Sequence, residues 1–272
     1  MPATTASATA PSLALHHERL VFDRQLRDGR ALVASLELAA GMRVLQLDCG
    51  SGLLAEELAD AVGPRGEVLG LDPLPLRVQV AHQRSRHNLR FQVGSAAGLA
   101  RLPAASFDAI VANHVLHGWA DVAQAVAECL RLLAPDGRLG LSTWSAAHEH
   151  PAARVRDAVL ADPAYAAHLL PPEAIARPLT ASALDGLLRA AGFGAVALRN
   201  APEVLLYAGA QPAIEAMQAG AWGRFLMHLP DDLRAPAHAE VVRRLDAIAG
   251  RQGIRHDAMC VFAVARKQRA PA

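Results

Sequence analysis

Short apolar runs closed by a glycine or an acid alternate along the chain with longer stretches whose apolar residues recur every three or four positions. The first kind suits strands buried on both faces, the second helices with one apolar side. Strands are predicted at Arg43–Leu47, Glu67–Leu71, Leu89–Val93, Ala109–Ala112 and Arg138–Thr143. Helical spacing covers 52–62, begins again near Leu74, and runs from Asp121 to Leu133 before the turn Ala134-Pro135-Asp136-Gly137. Strands and helices alternating at this interval build an α/β fold with a doubly wound parallel sheet, whose ligands sit beyond the carboxyl ends of the strands. Ahead of the sheet, Leu20, Val21, Leu26, Leu32, Val33 and Leu36 keep helical spacing across a break at Asp28-Gly29, giving one or two helices packed on its edge.

The 272 residues suit one large domain or a domain with a cap. A net charge of +1 gives no electrostatic footprint for nucleic acid or an anionic membrane surface. No stretch approaches the ~18 uninterrupted apolar residues of a membrane span. The expected partner is therefore a small, largely apolar molecule. Lys267 is the only lysine, which removes lysine chemistry from the interior. Cys49, Cys129 and Cys260 are far apart with no C-x-x-C pair, so neither a zinc site nor a disulfide framework is expected. Residues 1–14 lack the charged start and apolar segment of a signal peptide and are expected to be a disordered tail before one domain over 15–272, in a reducing cytoplasm.

Candidate chemistry gathers where the first strand ends. Asp48-Cys49-Gly50-Ser51-Gly52 joins it to the next helix, and Gly50 and Gly52, without Cβ, let a ligand approach that helix's first N–H groups. The spacing Gly50-x-Gly52-x-x-Ala55, with Asp72 about 20 residues further on at the tip of the second strand, fits a nucleotide-type cofactor whose ribose diol the acid would hold. Alternatively, Asp72 only caps the helix that follows it.

Taken in order, Val44-Leu45-x-Leu47-x-Cys49-Gly50-Ser51-Gly52, Val68-x-Gly70-x-Asp72, Leu102-Pro103, Ser106-Phe107-Asp108-x-Ile110, Leu116-His117 and Leu133-x-Pro135-x-Gly137-Arg138-Leu139 resemble the class I S-adenosylmethionine-dependent methyltransferases. The likeness is greatest to the small-molecule branch of quinone-biosynthesis and natural-product enzymes; it covers 38–144 and returns over 179–199. It implies a Rossmann-like sheet with a further strand at Ala195–Leu198 and an antiparallel last strand at Val261–Arg266. It also implies S-adenosylmethionine as cofactor, with Gly50 and Gly52 against its methionine part and Asp72, beside Pro73, at its ribose. Ser95 and Ala96 would border the adenine, and Asn113 and His114 the sulfonium and methyl. The family usually has an acid in place of Gln46, a glycine in place of Asp48 and often an acid in place of Ser95. Gln46 can still accept a hydrogen bond from the cofactor's ammonium, and Asp48, two residues along an extended segment, would either supply a carboxylate on the same side or crowd the methionine end and weaken binding.

The stretches 145–178 and 201–257 fall outside that core and are expected to form helical cap insertions over the acceptor. The second holds helical patterns at Pro212–Leu229 and Asp232–Ile248; Tyr207, Trp222, Phe225 and Met227 there suit an apolar or planar acceptor, or simply anchor the cap. If the acceptor is a hydroxyl or a protonated amine, a base is needed. His117 and His114 are the candidates at the site, with His148 and His150 in the cap. No H-E-x-x-H, C-x-x-C or Asp-rich set appears, so metal-independent chemistry is expected. The expectation is methyl transfer to an O, N or C atom of a small apolar or aromatic metabolite in secondary metabolism, by an enzyme whose alanine- and leucine-rich cap suits a homodimer. One alternative is a cofactor-binding protein without transferase activity, for which Gln46 and Asp48 argue. Another, a nicotinamide oxidoreductase, is disfavoured by the later motifs.

Overall fold

The computed structural model describes residues 10–170, 178–219 and 225–269, with side chains from Asp23 onward except those of His117 and Ala219. Seven strands form one sheet: β1 (Arg43–Leu47), β2 (Glu67–Asp72), β3 (Leu89–Val93), β4 (Phe107–Asn113), β5 (Leu133–Trp144), β6 (Ala195–Tyr207) and β7 (Ile254–Arg266). Their order is β3-β2-β1-β4-β5-β7-β6, with β1 to β5 parallel and β7 antiparallel to both neighbours. The order reverses between β1 and β4, so a crevice opens at their carboxyl ends. The α-helices are α1 (Ala10–Ser35), α2 (Leu53–Val62), α3 (Pro75–Ala81), α4 (Val122–Leu132), α5 (Pro151–Leu160), α6 (Ala181–Ala190), α7 (Ala210–Ala219) and α8 (Asp231–Ala247). No helix among the described residues is long and apolar enough to cross a membrane.

Strand alternation sorts the core into two layers. Val44, Val68 and Val111 pack with α1, α2 and α3, whereas Leu45, Leu47 and Ile110 pack with α4 and α6. Leu54, Ala55, Leu58, Ala59 and Val62 form the buried stripe of α2, where each large side chain contributes roughly 1.5–3 kcal/mol. Asp121 accepts a hydrogen bond from the Gln124 N–H and so sets the start of α4.

Three expectations change. Helix α1 begins at Ala10, inside the expected tail, and runs unbroken through Asp28-Gly29. Gly29 serves close approach: a Cβ there would stand 2.7 Å from Leu54 Cδ2 and 3.2 Å from Asn113 Nδ2. Strand β5 already begins at Leu133, where the helix was expected to end, and takes in the expected turn Ala134-Pro135-Asp136-Gly137, with a register shift between Phe107 and Ala109 on its neighbour β4. Strands β6 and β7 pair over 13 residues from Ala195↔Arg266 to Tyr207↔Ile254, so the second insertion narrows to 208–253.

Helices α5, α7 and α8 enclose a third core with Tyr207, Phe225 and Leu226. His150 Nδ1 accepts the Ala152 N–H (3.1 Å) to cap α5, so Nε2 carries the ring proton and donates to Tyr207 Oη (2.9 Å). Burial, reinforced by nearby His256, lowers His150 from 6.5 to about 3. The folded chain thus binds fewer protons than the unfolded one in that window, and stability present above pH 6.5 is lost as the pH falls. The expected loss is about 1.4 kcal/mol per pH unit for His150 alone. His150→Asn, which keeps a capping acceptor, should flatten the dependence of Tm on pH between 6.5 and about 3. A wild-type Tm that does not fall on acidification below 6.5 would refute this role.

Candidate active site

At the end of β1 the backbone leaves the extended conformation: Asp48, Gly50 and Gly52 have φ of +51°, +58° and +85°. Glycine adopts this freely, while an aspartate there bears strain of about 1 kcal/mol. Cys49 N–H donates to Leu71 O (2.8 Å) and Gly50 N–H to Asp72 Oδ2 (2.9 Å), fastening the turn to β2. A Cβ on Gly50 would meet nothing within 4 Å, so that face is open, whereas one on Gly52 would meet Phe91 at 2.6 Å.

Because β1 ends at Leu47, the two-residue alternation expected to bring Asp48 beside Gln46 stops there. Asp48 Oδ2 accepts instead from Trp119 Nε1 (3.1 Å), which belongs to the layer of Leu45 and Leu47. Burial raises the Asp48 carboxyl to about 6, with the Trp119 hydrogen bond acting against it and the charge of Asp72 adding to it. Gln46 is buried, and its Oε1 has no hydrogen-bond partner. Asp72 is fully enclosed; besides Gly50, it accepts the Leu74 N–H on Oδ1 (2.9 Å), with Arg77 3.9 Å away. It therefore braces the glycine turn and leads into α3. Pro73 beside it is exposed, Ser95 is half-buried, and Ala96 is buried at the start of the helical turn Ala96–Arg101.

At the end of β4, Asn113 Nδ2 donates to Gln25 O of α1 (2.9 Å), and Asn113 Oδ1 accepts from Ser142 Oγ (2.7 Å). His114 has φ +56°, and its backbone N–H donates to Ser142 O (2.9 Å). Its buried ring stacks on Trp144 at 4.9 Å, with Nε2 2.9 Å from Asp28 Oδ2 and 3.9 Å from Cys260 Sγ. A carboxylate only accepts, so Nε2 carries a proton; Nδ1 is buried without a hydrogen-bond partner and is the acceptor of the neutral ring. Glu203 of β6 holds α1 in place through Arg24 (3.3 Å) and Arg27 (2.8 Å).

Sequence reasoning missed Asp28. The available signal was its register: Leu32, four residues on, is fully buried, as is Leu36 just past the end of α1, so the acid shares the face of Leu32. His117 lies in the helical turn Leu116–Gly118, but its side chain and all of Trp222 lie outside the described residues. His150 bonds Tyr207 of the third core, and His148 O accepts from His256 Nε2 at 3.1 Å. All three cysteines are free and buried, and burial raises each thiol, that of Cys129 to about 12.

A protein-family profile described as a methyltransferase domain matches residues 45–141. Nocamycin O-methyltransferase of Saccharothrix syringae is 31% identical over 81% of this chain and 83% of its own length. This chain is a class I S-adenosylmethionine-dependent methyltransferase. A ubiquinone biosynthesis O-methyltransferase of Xanthomonas oryzae pv. oryzae is 37% identical to it over 51% of this methyltransferase; the match spans about half of that relative, 55%. The YcgJ protein of Bacillus subtilis has the same fold, with a TM-score of 0.63 at 21% identity over 91% of this chain and all of the other. The methyltransferase crevice suits the family's cofactor, S-adenosylmethionine, at two points. Gln46 Oε1 is an unpaired buried acceptor, and Gly50 leaves the turn open where a Cβ would intrude.

Proposed function

We propose that this methyltransferase transfers a methyl group to a hydroxyl oxygen of a small, mostly apolar metabolite, with His114 taking the hydroxyl proton. The observation that carries this reading is the buried Asp28–His114 pair, which engages Nε2 and leaves Nδ1 unpartnered at the end of β4. When bound, S-adenosylmethionine supplies an electrophilic methyl group on a sulfonium. Gln46 and Asp48 would receive its ammonium, Asp72 and Pro73 its ribose, Ser95 and Ala96 its adenine, and Asn113 and His114 the reacting end. For Asp72 this means sharing lone pairs that now serve Gly50 and Leu74, of which a carboxylate has about four.

Most of the work on the acceptor is alignment. Its hydroxyl proton passes to His114 Nδ1, while Asp28 fixes the tautomer and stabilises the imidazolium that forms. The O-methyltransferase name of the relative that covers most of this chain supports an oxygen acceptor. The layer of α5, α7 and α8, in which α7 packs against α1, is the proposed cap, and its apolar core argues for an apolar acceptor.

Calorimetric titration with S-adenosylmethionine, S-adenosylhomocysteine and, as control, NADH tests the cofactor. A panel of phenolic and enolic acceptors followed by mass spectrometry then tests the chemistry. Binding of both sulfur compounds but not NADH, with a methyl ether as product, is expected. Absence of binding by either sulfur compound would sink the proposal; binding without product across the panel would favour a cofactor-binding protein without transferase activity.

A further inference from the structure

Asp28, His114 and Cys260 come from three separate places, α1, the end of β4 and β7, yet all three are buried and their donor atoms lie within 4.8 Å of one another. We propose that they form a binding site for one divalent cation of the zinc class, and that its occupancy disables His114 as a base. The site stands on geometry alone; only its effect on the rate rests on the reading of His114 above.

The donor set selects the cation. An imidazole nitrogen, a thiol sulfur and one carboxylate oxygen suit zinc or cobalt, whereas magnesium and calcium require sets of oxygens. Bonds of about 2.0 Å to nitrogen and oxygen and 2.3 Å to sulfur place tetrahedral donors about 3.3–3.5 Å apart. Here Nε2 stands 2.9 Å from Asp28 Oδ2 and 3.9 Å from Cys260 Sγ. Each of these two separations changes by roughly 0.4 Å on binding, and the Asp28–Cys260 pair, within 4.8 Å, closes by at most about 1.3 Å, within reach of side-chain rotation. A carboxylate, a thiolate and a neutral imidazole cancel the charge of a divalent ion, as an enclosed site demands. Three protein donors leave a fourth position for water.

Protons and tautomers give the consequence. On binding, the Cys260 thiol proton leaves to solvent, and the imidazole proton moves from Nε2 to Nδ1 because the metal takes the Nε2 lone pair. Nδ1 can then accept nothing from a hydroxyl. The cation and the Asp28-held base are mutually exclusive states of one histidine.

The test uses purified full-length protein freed of metal by a chelator and titrated with cobalt(II), followed by competition with zinc. A thiolate-to-cobalt charge-transfer absorption at one ion per chain is expected. Cys260→Ser and Cys260→Ala should lose that absorption, and Asp28→Asn should weaken binding at least about 10–100-fold. Circular dichroism melts verify that each variant folds. Zinc should inhibit methyl transfer by the wild type at concentrations that leave Cys260→Ser, normalised to its own metal-free rate, unaffected. Equal cobalt affinity and spectra in wild type and Cys260→Ser would overturn the site. Loss of the absorption in the variant, with zinc leaving wild-type methylation untouched, would overturn the switch. The absorption is read without turnover, so failure of the methyltransferase reading and failure of this site are separate results.

Discussion

His114→Asn is expected to lower kcat by about 10²–10⁴-fold while leaving cofactor affinity nearly unchanged. Asparagine is the suitable replacement because position 114 has φ +56°, a conformation that asparagine tolerates better than most residues. Its amide nitrogen falls short of the Nε2 position, so the hydrogen bond to Asp28 is given up, and a melt verifies that the variant folds. Asp28→Asn keeps shape and size but removes the charge that steadies the imidazolium, and a loss of about 10–10³-fold in kcat is expected. The two effects should not add, because Asp28 acts only through His114. Single-turnover rates at saturating cofactor decide the matter. A His114→Asn enzyme within a few-fold of wild type would show that alignment alone carries the reaction and that the proton leaves by another route.

The second large effect concerns Asp48, whose carboxyl is raised from 3.8 to about 6 by burial. Its folded value lies above its unfolded one, so the folded chain binds more protons between those limits and this residue favours folding as the pH falls. At pH 7 the full cost of keeping the carboxylate charged is borne, roughly 3 kcal/mol for a shift of about two units. Asp48→Asn should therefore stabilise the chain at pH 7 while weakening S-adenosylmethionine binding about 10–30-fold, the worth of a charged contact to its ammonium. Wild-type affinity should be level above pH 6 and fall by up to tenfold per unit below it; in the variant this slope should vanish. Calorimetry across pH 5–8 measures both. Unchanged affinity in the variant would assign the ammonium to Gln46 and backbone carbonyls alone.

The parallel half of the sheet was legible because its strands are apolar on both faces and close on glycine or acid, as in Arg43–Leu47 before the Gly50 turn and Glu67–Asp72. The hairpin was not. Strand β6 lies at the sheet edge, and its Arg199, Asn200 and Glu203 interrupt any apolar run, so only pairing with β7 reveals its length. The glycine turn after β1 and Asp72 at the end of β2 lie where the two apolar runs stop. Asp48 departed from expectation because a left-handed φ reorients a side chain in a way that two-residue alternation cannot anticipate. Asp28 lies 86 positions from His114, and only the packing of α1 across Leu54 and Asn113 joins the two.

Helix α1 enters the sheet with an apolar and an acidic group on one face: Leu32 is fully enclosed, and Asp28 four residues earlier reaches the His114 ring. Position 114 and the seating of the first helix are therefore inherited together. A substitution that loosens α1, remote from β4 in sequence, reaches the histidine without touching the glycine turn. Glu203 adds two partly exposed ion pairs worth about 0–1 kcal/mol each, so the buried face, not these pairs, holds the helix to the sheet.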